Sequence, residues 1–115
     1  MRILLIEDNP VLREMYLLVL VPDYKVTTAT TAAEAKLMLG RHQFDAVVSD
    51  FTLPDGTSAE VFEQFPCPAP NVLMMTGEPN NVQFQQLISR FHLPFLAKPF
   101  SPFLLKQKLE EMVVH

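Results

Sequence analysis

Arg2-Ile3-Leu4-Leu5-Ile6-Glu7-Asp8-Asn9-Pro10 is the stretch that decides the fold. Five residues without polar alternation read as a strand buried on both faces rather than one lying on a solvated sheet. The run stops abruptly at two acids, and Asn9-Pro10 then supplies a cap and a first helical residue. A strand that ends on carboxylates and turns directly into a helix is the opening unit of a β-α fold.

The same unit recurs down the chain. Val11 to Val21 has helical spacing and is closed by Pro22-Asp23, after which Lys25 to Ala29 is a β-branched strand. Thr31-Ala32-Ala33-Glu34 is a capping box that opens a helix to about Gly40. Phe44 to Ser49 is the third strand and ends on Asp50; a turn signal, Pro54-Asp55-Gly56, precedes a second capping box, Thr57-Ser58-Ala59-Glu60, and a short helix to about Phe65. Pro66 to Pro70 is a proline-rich connection. Asn71 to Met75 is an apolar strand ending on Thr76-Gly77, a polar helix spans about Asn80 to Phe91, and Phe95 to Ala97 is a short strand ending on Lys98. Ser101-Pro102 starts a last helix that runs to about Val113. Strand followed by helix, five times over, with apolar strands, predicts a parallel sheet covered on both faces: a doubly wound α/β sandwich.

Composition bounds the function. The chain has 115 residues, 49% hydrophobic and 19% charged, which suits one globular domain spanning 1–115. A net charge of −4, with no Lys/Arg stripe interleaved with aromatics, argues against direct nucleic-acid binding. No apolar stretch has the length of a membrane span or the form of a signal peptide, and the lone Cys67 lies in a proline-rich loop, so a cytoplasmic location is expected.

Open parallel sheets bind ligands beyond the carboxyl ends of their strands, where the strand order reverses. Glu7 and Asp8 follow the first strand, Asp50 the third, Thr76 the fourth and Lys98 the fifth. Each is by itself an ordinary cap or loop residue; their convergence on one edge is what points to a site. Neighbouring strands lie roughly 4.8 Å apart, so carboxylates on adjacent strands would crowd and raise one another's pKa unless a cation intervened. A hard divalent ion such as Mg2+ fits an all-oxygen set, and the absence of His and Cys from this group of residues argues against zinc. Lys98 and Thr76 add a positive charge and a hydroxyl, which suit a phosphoryl group on Asp50 better than a bare metal trap.

Four fragments then carry a resemblance over essentially the whole chain: Ile6-Glu7-Asp8-Asn9-Pro10, Val48-Ser49-Asp50-Phe51-Thr52-Leu53-Pro54-Asp55-Gly56, Met74-Met75-Thr76-Gly77 and Ala97-Lys98-Pro99-Phe100. In this order they resemble the receiver domains of two-component response regulators. The resemblance implies a five-stranded parallel sheet in the flavodoxin-like order 2-1-3-4-5. It implies a phosphorylation-dependent signalling switch: a histidine kinase or histidine phosphotransfer domain passes a phosphoryl group to Asp50, with no other catalysis than self-catalysed phosphotransfer and autodephosphorylation. Mg2+ would be held by Asp8 directly, by Glu7 through water, by Asp50 and by the Thr52 carbonyl. Thr76 and Lys98 would contact the phosphoryl group, Phe95 would be the aromatic switch that follows Thr76, and the Lys98-Pro99 peptide would be cis. The stretch Leu93-Pro94-Phe95-Leu96-Ala97-Lys98-Pro99-Phe100 is similar to receivers of hybrid sensor kinases, although His92-Leu93-Pro94 stands where small residues are usual.

Three other readings compete, one of them a degenerate receiver used only as a scaffold, against which the complete set of Asp8, Asp50, Thr76 and Lys98 argues. A small aspartyl-phosphate phosphatase of the haloacid dehalogenase type would use an Asp-rich nucleophile loop, faintly echoed by Asp50-Phe51-Thr52, but it would need a second Asp at Thr52. A flavin-binding module would need Gly, Ser or Thr amides after the first strand, where this chain has acids. The output partner and the oligomeric state, a homodimer included, are left open. Helical spacing sets Leu12, Met15, Tyr16 and Val19 as the core stripe of the first helix, leaving Leu17 and Leu18 pointing away from it, where the resemblance implies the phosphodonor docks; the alternative is a rotated helix, or Leu18 packed near Val21 and Tyr24.

Overall fold

The structure, a computed structural model, describes residues 1–113. Its elements are β1 (Arg2–Ile6), α1 (Pro10–Leu20), β2 (Lys25–Ala29), α2 (Ala32–Arg41), β3 (Ala46–Asp50), β4 (Thr52–Leu53), β5 (Gly56–Thr57), α3 (Ser58–Gln64), β6 (Asn71–Thr76), α4 (Val82–Phe91), β7 (Phe95–Ala97) and α5 (Pro102–Val113). The main sheet has the order β2-β1-β3-β6-β7 with every pair parallel, the expected 2-1-3-4-5 order of the five long strands. β4 and β5 form a separate antiparallel ribbon, Thr52 opposite Thr57 and Leu53 opposite Gly56, where the sequence showed only a turn.

Side chains alternate across the pleat, so each central strand feeds two cores. Leu4, Ile6, Val47, Val72 and Met74 face the cluster that includes Ala32, Ala35, Val61, Phe62, Phe84 and Leu87 of α2, α3 and α4. Ile3, Leu5, Ala46, Val48, Leu73 and Met75 face the opposite cluster, closed by Tyr16 and Leu20 of α1 and Leu105 and Leu109 of α5. Burial on both faces explains why β1, β3 and β6 are apolar without alternation. The edge strands differ: β2 and β7 are largely half-buried, which is why β2 tolerates Lys25, Thr27 and Thr28.

Several local expectations change. Thr31 accepts a hydrogen bond from the Glu34 amide at 3.0 Å, but the Glu34 carboxylate reaches the Thr30 hydroxyl, not the Thr31 amide. Thr57 makes no side-chain cap on α3, because its backbone is committed to the ribbon with Thr52. In α1 the buried residues are Tyr16 and Leu20, with Leu12, Leu17 and Val19 half-buried beside them, whereas Met15 is 41% exposed. α1 packs against α5 as well as the sheet, so its covered stripe is broader and rotated toward Leu17 and Leu20. Leu18 does point outward, as expected, at 75% exposure.

The β4–β5 turn depends on Gly56. Its φ is +142°, and a Cβ there would lie 2.5 Å from Oε1 of Glu60. We expect Gly56→Ala to lower stability in urea unfolding by about 1–3 kcal/mol, the scale of a strained backbone position. Adding Glu60→Ala should remove the clash but not the backbone strain, so recovery should be partial; full recovery would show that φ carries none of the loss.

Candidate active site at the carboxyl edge of the sheet

β1 lies between β2 and β3, so the chain departs from it in both directions and a crevice opens above its carboxyl end. Ile6 pairs with Ser49, which brings the next residues, Glu7 and Asp50, to neighbouring strand ends. Asp50 is opposite Met75, Thr76 is opposite Ala97, and the Lys98 amide donates to the Thr76 carbonyl at 2.7 Å. Register alone therefore assembles all five strand-end residues on one edge.

Their side chains converge as well. One carboxylate oxygen from each of Glu7, Asp8 and Asp50 lies within 4.8 Å of the others. Lys98 Nζ donates to Glu7 Oε1 at 2.7 Å and to Asp50 Oδ2 at 3.1 Å, bridging two of the three acids. Glu7 is fully buried and Asp50 is 8% exposed, while Asp8 faces solvent. The second Glu7 oxygen accepts from the Asn9 amide at 3.2 Å, and the Asn9 side chain accepts from the amides of Val11 and Leu12, so one short segment both orients the acid and starts α1. Thr76 is buried, and its hydroxyl accepts from the Glu78 amide at 3.0 Å. The Lys98-Pro99 peptide is cis.

The electrostatics follow from burial and crowding. Burial, reinforced by the Glu7 charge, pushes the Asp50 carboxyl up to about 6, although Lys98 opposes the rise. Burial would lower the Lys98 amine, but its bond to Glu7 and the charge of Asp50 outweigh that and hold it above the ordinary lysine value. A hard cation fits the donor set: three acid oxygens are within reach of one another and, among the described residues, one ammonium partly neutralises two of them.

Sequence reading missed three contributors. Tyr16, which it assigned to the core stripe, lies beside Lys98: its ring stacks on Phe100 at 5.6 Å and 11°, and burial pushes its hydroxyl up to about 12. Arg13 Nη1 donates to the Glu7 carbonyl at 3.1 Å and steadies the loop from outside. Asp55, read as a turn residue, bonds to the start of α2. Phe95 is half-buried and stands edge-to-face on Phe84 at 5.2 Å, and Phe84 stands likewise on Phe51 at 5.4 Å, so rings connect the neighbour of Asp50 to β7. His92 takes a left-handed conformation, φ 54°, to end α4, a place where glycine is the easier residue.

Fold and site together define a doubly wound domain with an acidic, lysine-bridged pocket at the switch point of its sheet. A family profile described as response regulator receiver domain matches residues 3–110, and the chain belongs to that family. The family comprises phosphorylation-dependent signalling switches of two-component systems. Among solved structures, the chain is similar to the non-phosphorylated HemR receiver domain from Leptospira biflexa, with 30% identity, a TM-score of 0.86, and coverage of 99% of this chain and 94% of that one. It is also similar to a response regulator receiver domain protein from Methanospirillum hungatei, with 24% identity, a TM-score of 0.85, and coverage of 96% and 90%. Response regulator TrrA from Thermotoga maritima, solved in complex with Mg(2+)-BeF, has 23% identity, a TM-score of 0.77, and coverage of 97% and 98%. A search of curated proteins gives no match. The family assignment leaves the haloacid dehalogenase alternative without support. Among the described residues no helix is long and apolar enough to cross a membrane.

The raised Asp50 pKa has a consequence for stability. A carboxyl whose folded pKa lies above its unfolded value favours the fold while protonated, and that contribution is lost as pH rises from about 4 through about 6. Without divalent metal, Asp50→Asn should therefore be more stable than the native chain at pH 7, by up to about 2 kcal/mol. The difference should vanish below about pH 4 and shrink when Mg2+ is added. Equal stability at pH 7 in chelator would show that Asp50 ionises there without penalty.

Proposed function

We propose that this receiver accepts a phosphoryl group on Asp50 in a Mg2+-dependent reaction with a phosphohistidine donor. The observation that carries the reading is the placement of the Asp50 carboxylate within 4.8 Å of oxygens from Glu7 and Asp8 and 3.1 Å from the Lys98 amine. Asp8, Asp50 and the Thr52 carbonyl would hold the ion, with Glu7 acting through water. When bound, it would neutralise charge that builds on the phosphoryl oxygens.

The remaining chemistry belongs to this chain. An Asp50 oxygen attacks phosphorus in line with the departing imidazole nitrogen; the new P–O bond forms as the P–N bond breaks, and the donor histidine keeps the electron pair and takes a proton. Lys98 shifts from its bridge between Glu7 and Asp50 onto a phosphoryl oxygen, and Thr76 turns its hydroxyl from the Glu78 amide toward another. The space Thr76 leaves admits the Phe95 ring from its place on Phe84. Since Phe95 has no hydroxyl, the change is read out by packing alone, at about 1.5–3 kcal/mol for fully burying such a ring. The output partner receives that altered surface; the similarity of residues 93–100 to hybrid-kinase receivers suggests relay within a larger signalling protein.

Incubation with acetyl phosphate should label the chain only with Mg2+ and only at Asp50, and beryllofluoride should move Phe95 off Phe84. Labelling that survives chelator or Asp50→Ala would refute the reading, and an unmoved Phe95 ring would refute the switch.

The donor docks, in this reading, on α1. Val11, Met15, Leu18 and Val21 recur at helical spacing and are 66, 41, 75 and 55% exposed, an apolar strip running away from the acidic pocket. Replacing Met15 and Leu18 together by polar residues should slow transfer from the cognate phosphohistidine protein about tenfold or more while leaving acetyl phosphate labelling unchanged. Equal loss of both rates would assign the pair to the fold, and no loss would remove α1 from the docking surface.

A further inference from the structure

The first turn of α2 is capped from two directions. Thr31 accepts from the Glu34 amide at 3.0 Å, in the ordinary way of a local cap. The amides of Ala32 and Ala33, which have no partner within the helix, donate instead to the two carboxylate oxygens of Asp55 at 2.8 and 3.0 Å. Asp55 lies 23 residues from Ala32 in the chain, at the tip of the β4–β5 ribbon. Its charge sits on the positive end of the α2 dipole, and the two amides hold its carboxyl below the usual range.

That contact reaches beyond the helix it caps. The backbone of Phe51 is pinned on both sides: its amide donates to the Met75 carbonyl at 2.9 Å and its carbonyl accepts from the Ser58 amide at 2.8 Å. Residues 52–57 leave the sheet between those two bonds as a ribbon of two short paired strands. Pairing fixes the strands to each other but lets so small a ribbon swing as a unit about its base, and a lone hairpin is marginal in water. Leu53 seats the ribbon in the core on one side. Asp55 ties the tip to a fixed post, because α2 is itself anchored by the buried Ala32 and Ala35. Thr52, which follows Phe51 at the base of the ribbon, is exposed and is held through its pairing with Thr57.

We propose that Asp55 is a positioning residue for the metal site: by clamping the ribbon to the N-terminus of α2 it fixes the orientation of the Thr52 backbone carbonyl beside Asp8 and Asp50. The inference rests on the reading of Thr52 as a ligand given above. It makes the clamp and the metal reciprocal, so that ordering the ribbon from the metal side also tightens the bonds to Ala32 and Ala33.

The test uses the full chain and Mg2+ alone. By calorimetric titration, Asp55→Ala should weaken Mg2+ binding about tenfold, the lower end of what losing an orienting partner of a metal ligand costs. Acetyl phosphate labelling should slow at low Mg2+ and return to the native rate at saturating Mg2+. Asp55→Asn, which keeps one acceptor oxygen, should recover part of the affinity. Thr31→Ala removes the other cap of α2 and should destabilise the helix while leaving Mg2+ affinity native. In the native chain, amide exchange at Ala32 and Ala33 should slow when Mg2+ is added. Native affinity in Asp55→Ala, an equal loss in Thr31→Ala, or exchange at Ala32 and Ala33 indifferent to Mg2+ would each overturn the clamp. A native chain that does not bind Mg2+ would overturn the metal reading itself, and the inference with it.

Discussion

The bridge from Lys98 to Glu7 and Asp50 is the interaction on which the carboxyl edge of this domain depends. Glu7 has no exposed surface, and an ionised carboxylate so placed is tolerated only with charged and hydrogen-bonding partners. Lys98 supplies the charge at 2.7 Å and the Asn9 amide a second bond. The same amine is shared with Asp50, which is left only partly compensated and carries a raised pKa. A cation placed at this edge would lower the cost of ionising Asp50. One lysine on the fifth long strand settles the charge of the first and the third, so the sheet must keep its order for the site to exist.

Around that bridge the structure divides its labour. The acids and the lysine sit on strand ends whose register is set by a core alternating across the pleat. Beside it lie the Thr76 hydroxyl bonded to the Glu78 amide, the ring series Phe51–Phe84–Phe95, and the β4–β5 ribbon. Phe51, Phe84 and Leu53 root these parts in the core, while Phe95 and the tip of the ribbon lie nearer the surface. The exposed apolar strip of α1 begins at Val11, in the first turn after Asp8 and Asn9.

Much of this was legible in the residue order because it depends on local chemistry. Largely apolar runs that stop at Glu7, Asp50, Thr76 and Lys98 declare both the strands and the edge on which these groups lie. The less legible parts turn on contacts between distant segments. Thr57 has the pattern of a cap, yet pairing with Thr52 takes its backbone into a ribbon. Met15 has core spacing on an isolated helix, yet packing against α5 turns it outward and brings Leu17 and Leu20 in.

The sequence by itself determined the alternation of strand and helix, the doubly wound class and the identity of the strand-end residues, because periodicity, caps and turn residues act over a few positions. Only the tertiary structure decided how those residues meet. Lys98 and Glu7 are 91 positions apart and their 2.7 Å bond exists because the outer strand is ordered against β6 and β6 against β3. Asp55 reads as a turn residue until α2 is folded beneath it, and Tyr16, which is core as its spacing says, also lies beside Lys98. Pattern reports which face a side chain takes; charge, proximity and the direction of a hydrogen bond belong to the folded chain, since they depend on what another part of it brings to the same place.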